Sequence, residues 1–151
     1  IHRAGNTDNA LRLRRLLAAL EDLDRLVVMP IHPRTKKVIL SINFKLKNIK
    51  LIDPVKYSQN IALMGASSAI LTDSGGIQKE AYWLKVPCFT LRSVTEWVET
   101  VNSGWNQLVL ERIAFLPKIV KSFKKPKTHQ NYYGDGRAGM MTVDIIRRYL
   151  A

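Results

Sequence analysis

The sequence is poor in cysteine and in long apolar runs, and each shortage excludes a class of protein. With one cysteine among 151 residues, Cys88 has no partner for an intrachain disulfide, which excludes a small secreted scaffold built on disulfides. No run of about 18 apolar residues occurs, and no export signal is visible. We therefore expect a cytoplasmic protein without a membrane span, in which Cys88 is a small buried apolar residue.

Acidic residues are also scarce: the chain has 12 Asp and Glu against 24 Lys and Arg, which gives a net charge of +12. Such a balance favours an anionic partner, which could be nucleic acid, anionic lipid or a phosphorylated substrate. One lysine tract has the composition of a solvated helix end and loop: Lys118, Lys121, Lys124, Lys125 and Lys127. Because this tract lacks interleaved aromatic residues and no recognition module is present, we expect no nucleic-acid partner.

What the sequence does contain is a regular alternation of short apolar runs with helical patterns. The runs predict strands at residues 25–30, 49–52, 69–72, 86–91 and 107–110. Between them, apolar residues recur at helical spacing, as in the helix that carries Leu13, Leu16, Leu17 and Leu20, which we expect Asn6, Thr7 and Asp8 to cap. Strands separated in this way build right-handed βαβ units. We predict one α/β domain over residues 1–151, a Rossmann-like, doubly wound parallel sheet with helices on both faces.

The segment Ser74-Gly75-Gly76 stands between a predicted strand and a predicted helix. A helix N-terminus offers free backbone N–H groups and a partial positive charge, so glycines there let a diphosphate approach the backbone closely. The alternative is a tight turn in which glycine only relieves backbone strain. Glu80, one helical turn after Gly76, could accept hydrogen bonds from ribose hydroxyls or be an ordinary solvated carboxylate.

Six segments in register carry a family resemblance. They cover nearly the whole chain: Ile1-His2-Arg3-Ala4-Gly5-Asn6-Thr7-Asp8, Pro30-Ile31-His32-Pro33-Arg34, Thr72-Asp73-Ser74-Gly75-Gly76-Ile77-Gln78, Val86-Pro87-Cys88-Phe89-Thr90-Leu91-Arg92, Thr95-Glu96-Trp97-Val98-Glu99-Thr100 and Tyr133-Gly134-Asp135-Gly136. In this order they resemble the non-hydrolysing UDP-N-acetylglucosamine (UDP-GlcNAc) 2-epimerases. The resemblance implies the C-terminal half of a two-domain GT-B-type fold, with an N-terminal partner domain missing from this chain, and a homodimer as the expected assembly.

The resemblance also implies a reaction. UDP is eliminated to give a 2-acetamidoglucal and is then added back with the opposite configuration at carbon 2, which yields UDP-ManNAc. It requires neither a nicotinamide cofactor nor a metal. The implied UDP-binding residues are Val55, Ser74, Gly75, Gly76 and Glu80. His2 is implied as the catalytic histidine that donates a hydrogen bond to the departing phosphate.

A second, regulatory UDP-GlcNAc would contact Arg3 and His32 if the chain followed its bacterial relatives. The sequence departs from the family in places: Gly5 stands where relatives usually carry Glu, and Trp97-Val98 stand where many carry Arg-Pro. The carboxylates that act as acid and base in the family belong to its first domain. We therefore expect this chain alone to be inactive.

Two other functions compete with the epimerase. The chain could be the donor-binding domain of a two-domain nucleotide-sugar glycosyltransferase, which also holds a diphosphate at a glycine-rich helix start. It could also be a truncated module that retains UDP without doing chemistry. Paired acidic residues facing His2 from a partner domain would favour the epimerase.

Overall fold

Five short strands form where the apolar runs predict them, in a computed structural model that describes residues 1–150. They are β1 (Val27–Pro30), β2 (Ile49–Ile52), β3 (Ile70–Thr72), β4 (Cys88–Thr90) and β5 (Asn106–Leu108). All pairings are parallel, so the predicted α/β class is confirmed. The strands do not join into one hydrogen-bonded sheet, however: within residues 1–150, β1 pairs with β2, and β3, β4 and β5 form a separate sheet in that order.

Within residues 1–150, eight α-helices connect and flank these strands. They are α1 (Ala4–Thr7), α2 (Ala10–Glu21), α3 (Pro33–Ser41), α4 (Tyr57–Gly65), α5 (Gly75–Trp83), α6 (Val98–Asn102), α7 (Leu116–Ser122) and α8 (Ala138–Leu150), with a 3₁₀ segment at Leu110–Phe115. Asn9 caps α2, because its side chain accepts a hydrogen bond from the Arg12 N–H. The expected caps were wrong, since Asn6 and Thr7 lie inside the additional short helix α1 and are buried.

Two apolar clusters sandwich the strands. The larger one contains the four leucines of α2, which are fully buried, together with Phe89 of β4. The smaller one contains Met64 of α4, Ala81 of α5 and Cys88 of β4. Cys88 and Phe89 are neighbours on one strand, so the clusters lie on opposite faces. Burial raises the pKa of the Cys88 thiol to about 12, which keeps it neutral and apolar, as expected.

The C-terminal part of the chain contains one packed segment and one exposed helix. The segment 124–136 packs as an ordered excursion, as expected, because Tyr82 donates to the Gln130 carbonyl at 2.7 Å and the ring of His129 stacks on Tyr82. The following helix α8 has no buried residue, although its apolar side chains fall at helical spacing. No helix among the described residues is long and apolar enough to span a membrane.

Candidate functional site

The candidate site lies at the carboxyl edge of the strands, where β1 leads into His32 and β3 leads into Asp73 and Ser74. Parallel α/β sheets bind ligands at this edge because their loops and helix N-termini converge there. The first residues of the chain also reach it, since Thr35 of α3 donates to the Ile1 carbonyl at 3.4 Å. Residues from three distant parts of the sequence therefore meet at one edge.

Asp73 is the centre of this convergence. Its carboxylate is fully buried and accepts hydrogen bonds from the backbone N–H groups of His2 and Arg3 at 3.0–3.2 Å and from Asn6 Nδ2 at 3.0 Å. Burial by itself would raise the pKa of this carboxyl, but the pKa is lowered, and the hydrogen bonds from these donors contribute to that lowering. Asp73 is therefore an ionised group that ties the start of the chain to the end of β3.

His2 is held by the same carboxylate. Its Nδ1 lies 3.2 Å from Asp73 Oδ1, while the side chain stays 57% exposed. A carboxylate at Nδ1 favours a ring that carries a proton on that nitrogen. The contact fixes the orientation of the ring and leaves Nε2 directed away from Asp73.

Ser74, Gly75 and Gly76 lie where the sequence predicts them. Ser74 is the N-cap residue of α5, and the two glycines form its first turn. Both have ordinary helical backbone, because neither is among the glycines with positive φ, which are Gly104, Gly134 and Gly136. A side-chain carbon at Gly76 would meet no atom closer than Ser74 Oγ at 4.0 Å. Neither glycine is therefore needed to relieve backbone strain, and the space above Gly76 is open.

The other expected contacts are spread around this edge. Glu80 is half-buried on α5, one turn beyond Gly76. Val55 is half-buried in the loop between β2 and α4 and lines the same cavity as His2. His2 contacts Asp73, the residue before Ser74, and Val55 faces His2 across that cavity, which neither Ser74 nor the two glycines line.

Arg3 and His32 are both exposed at the same edge. The backbone N–H of Arg3 donates to Asp73, so its place in the chain is fixed while its guanidinium remains in solvent. His32 is the N-cap residue of α3, and its Nδ1 accepts from the Arg34 N–H at 3.2 Å. The His32 ring therefore has a local structural role whatever else it contacts.

Trp97 is a residue whose position the sequence did not reveal. Its indole Nε1 is buried without a hydrogen-bond partner in the described structure, and it lies 3.5 Å from where a side-chain carbon on Gly75 would stand. Buried donors almost always have a partner, so an orphaned one needs an explanation. Its position beside the first turn of α5 adds a side-chain donor to the backbone donors there. The departure from Arg-Pro at residues 97–98 was the sequence signal that could have pointed to it.

A buried polar network holds the loop that carries Trp97. Thr95 donates to Gln78 Oε1 at 2.6 Å, and Asn106 Nδ2 donates to the same oxygen at 3.1 Å. Gln78 and Asn106 are nearly inaccessible to solvent. The loop is therefore tied both to α5 and to β5.

Charged groups surround the start of α5 on the solvent side. Lys79 Nζ lies 4.4 Å from the Trp97 ring centroid and 4.9 Å from that of Tyr133, in cation–π geometry. Glu96 lies near Gly75 but forms a two-bond ion pair with Arg92 at 2.7 and 2.9 Å. Hydrogen bonds from Arg92 lower the pKa of Glu96 to about 2. The Glu96 carboxylate is thus ionised, and the positive charge of Arg92 balances it beside a helix end that favours anions.

Comparison with known proteins gives a consistent family. The model of the family described as UDP-N-acetylglucosamine 2-epimerase matches residues 1–147. A relative from Methanococcus maripaludis, named a UDP-N-acetylglucosamine 2-epimerase homolog, is 42% identical over 97% of this chain and 43% of its own length. The UDP-2,3-diacetamido-2,3-dideoxy-D-glucuronate 2-epimerase of Pseudomonas aeruginosa is 47% identical over 98% of this chain and 43% of its own length.

A solved structure agrees with these relatives. The Methanocaldococcus jannaschii UDP-GlcNAc 2-epimerase in complex with UDP-GlcNAc and UDP is 39% identical, with a TM-score of 0.87 over 97% of this chain and 43% of that one. The chain thus spans about two fifths of the length of the relatives it matches.

Proposed function

Because the chain belongs to the UDP-N-acetylglucosamine 2-epimerase family, we propose that the whole protein interconverts UDP-GlcNAc and UDP-ManNAc and that this chain supplies its UDP-binding half. The observation that carries the proposal is the open first turn of α5. A side-chain carbon at Gly76 would stand in open space, and both glycines have ordinary helical backbone, so a bound group has room to approach the helix start.

The diphosphate would lie on the backbone N–H groups of Ser74, Gly75 and Gly76, since an anion there replaces the missing hydrogen bonds of the helix start. Trp97 Nε1 would donate to the same group and so lose its orphaned state. Glu80 would accept from the ribose, and Val55 would pack against the uracil. Apart from Trp97 Nε1, which is buried, each contact uses a residue that the chain leaves exposed or half-buried.

In the elimination step, a base removes the proton from carbon 2, the bond from carbon 1 to the phosphate oxygen breaks, and UDP leaves. Readdition reverses these events with the proton delivered to the opposite face of carbon 2. With a proton on each ring nitrogen, His2 would donate from Nδ1 to Asp73 and from Nε2 to the departing phosphate, where negative charge develops. The acid and the base would come from the other half of the protein.

The function is tested by NMR of UDP-GlcNAc in deuterated water with the whole protein. We expect deuterium at carbon 2 and the appearance of the manno isomer, and neither with the 151-residue chain alone, because loss of general acid–base catalysis costs about 10²–10⁴-fold. Turnover by the isolated chain would refute the division of roles. No turnover by the whole protein, with transfer of the sugar to an acceptor instead, would establish the glycosyltransferase.

The phosphate site is tested separately by titrating the whole protein with UDP in a calorimeter. Gly76→Val should weaken binding at least about tenfold, because the branched side chain fills the space above the helix start. Gly139→Val is the matched control, since Gly139 is also the second residue of a helix, α8, and has nothing within 4 Å. Equal affinities of the two variants for UDP would show that the diphosphate does not bind at this site.

A second candidate substrate is UDP-2,3-diacetamido-2,3-dideoxy-D-glucuronate, because the Pseudomonas relative named for it is 47% identical. The sugar carboxylate of that substrate would suit a chain with a net charge of +12. Both sugars would share the UDP contacts above and the inversion at carbon 2. Parallel NMR assays of the two nucleotide sugars decide between them by kcat/KM.

Regulation, assembly and location are also part of the proposal. A second UDP-GlcNAc would contact the exposed Arg3 and His32, and the whole protein would work as a homodimer in the cytoplasm. Arg3→Ala should then change the dependence of the rate on UDP-GlcNAc concentration, and light scattering of the whole protein should give the mass of a dimer. A hyperbolic rate curve unaltered by Arg3→Ala would contradict the regulatory site.

A further inference from the structure

The backbone of Trp97 is held on both sides by side-chain hydrogen bonds. Its N–H donates to Thr95 Oγ1 at 3.1 Å, and its carbonyl accepts from Thr100 Oγ1 at 2.7 Å. Thr95 is half-buried and Thr100 is fully buried. Two threonine hydroxyls therefore fix the peptide groups of a residue that lies in a loop.

These two hydroxyls are connected through two buried amide side chains. Gln78 Oε1 accepts from Thr95 Oγ1 at 2.6 Å and from Asn106 Nδ2 at 3.1 Å. Asn106 Nδ2 carries two hydrogens and also donates to Thr100 Oγ1, at 3.0 Å. The hydrogen bonds thus form a closed series that begins and ends at Trp97. We call its five members the Gln78 network: Gln78, Thr95, Trp97, Thr100 and Asn106.

The network also reaches the start of α5. Gln78 Nε2 donates to the carbonyl of the N-cap residue, Ser74, at 3.2 Å. Asn106 Oδ1 accepts from Thr90 Oγ1 at 2.7 Å, so both amide side chains use their donors and their acceptor. Buried polar groups cost free energy that apolar side chains would avoid, whereas a satisfied network fixes one arrangement of its members. The arrangement fixed here is that of Trp97 relative to Ser74.

The indole of Trp97 is the part of the network that is not satisfied. Among residues 1–150, Trp97 Nε1 is a buried donor without a partner, and it lies beside Gly75. The plane of the indole is also supported, because Lys79 Nζ lies over its face and the Tyr133 ring meets it edge-on at 6.0 Å. An open donor that is fixed before a ligand arrives binds it with little loss of conformational entropy.

We propose that Gln78 is a positioning residue, which acts through Thr95 to hold the Trp97 indole in place for the diphosphate. The inference rests on the proposed function, because it takes the diphosphate as the acceptor of the indole N–H. Gln78 is fully buried and touches no nucleotide itself. Its single amide accepts from the loop at Thr95 and donates to the helix start at Ser74, so it sets the distance between the two.

Two substitutions at Thr95 test the proposal in the whole protein with little change of shape. Thr95→Val removes both hydrogen bonds of the hydroxyl, whereas Thr95→Ser retains them. In calorimetric titrations, UDP should bind Thr95→Val about five- to tenfold more weakly and Thr95→Ser with the parent affinity. When Trp97→Phe is already present, Thr95→Val should change the affinity by less than about twofold, because its effect passes through the indole.

Gln78→Leu should weaken UDP binding at least as much as Thr95→Val. Because this variant leaves buried groups of Thr95 and Asn106 without partners, it also costs folding free energy, and Thr95→Val is the deciding variant. Thr90→Val is the matched control, since it removes a buried threonine hydroxyl that bonds Asn106 outside the network. It should lower Tm and leave UDP affinity unchanged.

A spectroscopic measurement without nucleotide separates positioning from a general effect on stability. The indole ¹H–¹⁵N signal of Trp97 is identified by its absence in Trp97→Phe. This signal should shift in Thr95→Val and stay in place in Thr95→Ser and Thr90→Val. An unshifted signal in Thr95→Val would mean that the hydroxyl does not hold the indole.

The failure of this proposal is distinguishable from the failure of the proposed function. No binding of UDP by the parent protein would contradict both. If the parent binds UDP and Trp97→Phe weakens binding, parent affinity in Thr95→Val would overturn the positioning role alone. Unchanged affinity in Trp97→Phe would overturn it as well and leave the UDP site standing. Equal losses from Thr95→Val with and without Trp97→Phe, or a loss in Thr90→Val, would show that the effect does not pass through Trp97.

Discussion

The central strand of the three-stranded sheet, β4, differs in burial from β1 of the two-stranded sheet, although both strands are largely apolar. β4 is buried at all three residues, whereas in β1 only Met29 is buried among the four. β4 has a strand on each edge and a helix cluster on each face, while β1 has a strand on one edge and the cavity on the other. The comparison teaches that the burial of a strand is set by its neighbours and not by its own hydrophobicity.

The largest expected effect compares one core position from each sheet. Phe89→Ala in β4, where the side chain is 1% exposed, should lower the free energy of unfolding by about 3–5 kcal/mol through loss of contacts and creation of a cavity. Val28→Ala in β1 should cost about 1 kcal/mol or less in the same chain. Urea denaturation of the two variants measures both. Equal losses would show that β1 is as well packed as β4.

The next comparison uses two aspartates that follow strands in the same way. Asp73 follows β3 and is fully buried, so Asp73→Asn should cost about 3 kcal/mol by placing amide hydrogens against the N–H donors of His2 and Arg3. Asp53 follows β2 with a side chain that is 90% exposed, and Asp53→Asn should change stability by less than about 0.5 kcal/mol.

The same pair predicts a dependence on pH. Because the pKa of Asp73 is lower in the folded chain than the ordinary value of 3.8, its stabilisation is complete above that value and is lost as the pH falls below it. Acid unfolding of the parent chain should therefore include a component that Asp73→Asn lacks and Asp53→Asn retains. A parallel decline in all three proteins would contradict the lowered pKa.

The smallest effect concerns the loop above the three-stranded sheet. Trp97→Phe removes the unpartnered indole N–H, so it should weaken UDP binding about five- to tenfold, which corresponds to about 1–1.5 kcal/mol for one hydrogen bond. Trp83→Phe, at an exposed tryptophan on α5, is the control and should leave affinity unchanged. Titration of the whole protein with UDP measures both affinities. An unchanged affinity in Trp97→Phe would show that the indole N–H does not donate to UDP.

The sequence by itself determined the α/β class, the position of each strand and the strand-to-helix junction at Ser74, because these follow from periodicities and turn residues within about ten positions. It also determined the burial of Cys88, which lies within an apolar run. Tertiary structure alone decided the contact of Asp73 with His2, which joins residues 71 positions apart, and the place of Trp97 beside Gly75. It also decided the division into two sheets and the exposure of α8. An apolar pattern predicts that one face of a helix or strand will be covered, but it does not identify the partner that covers it.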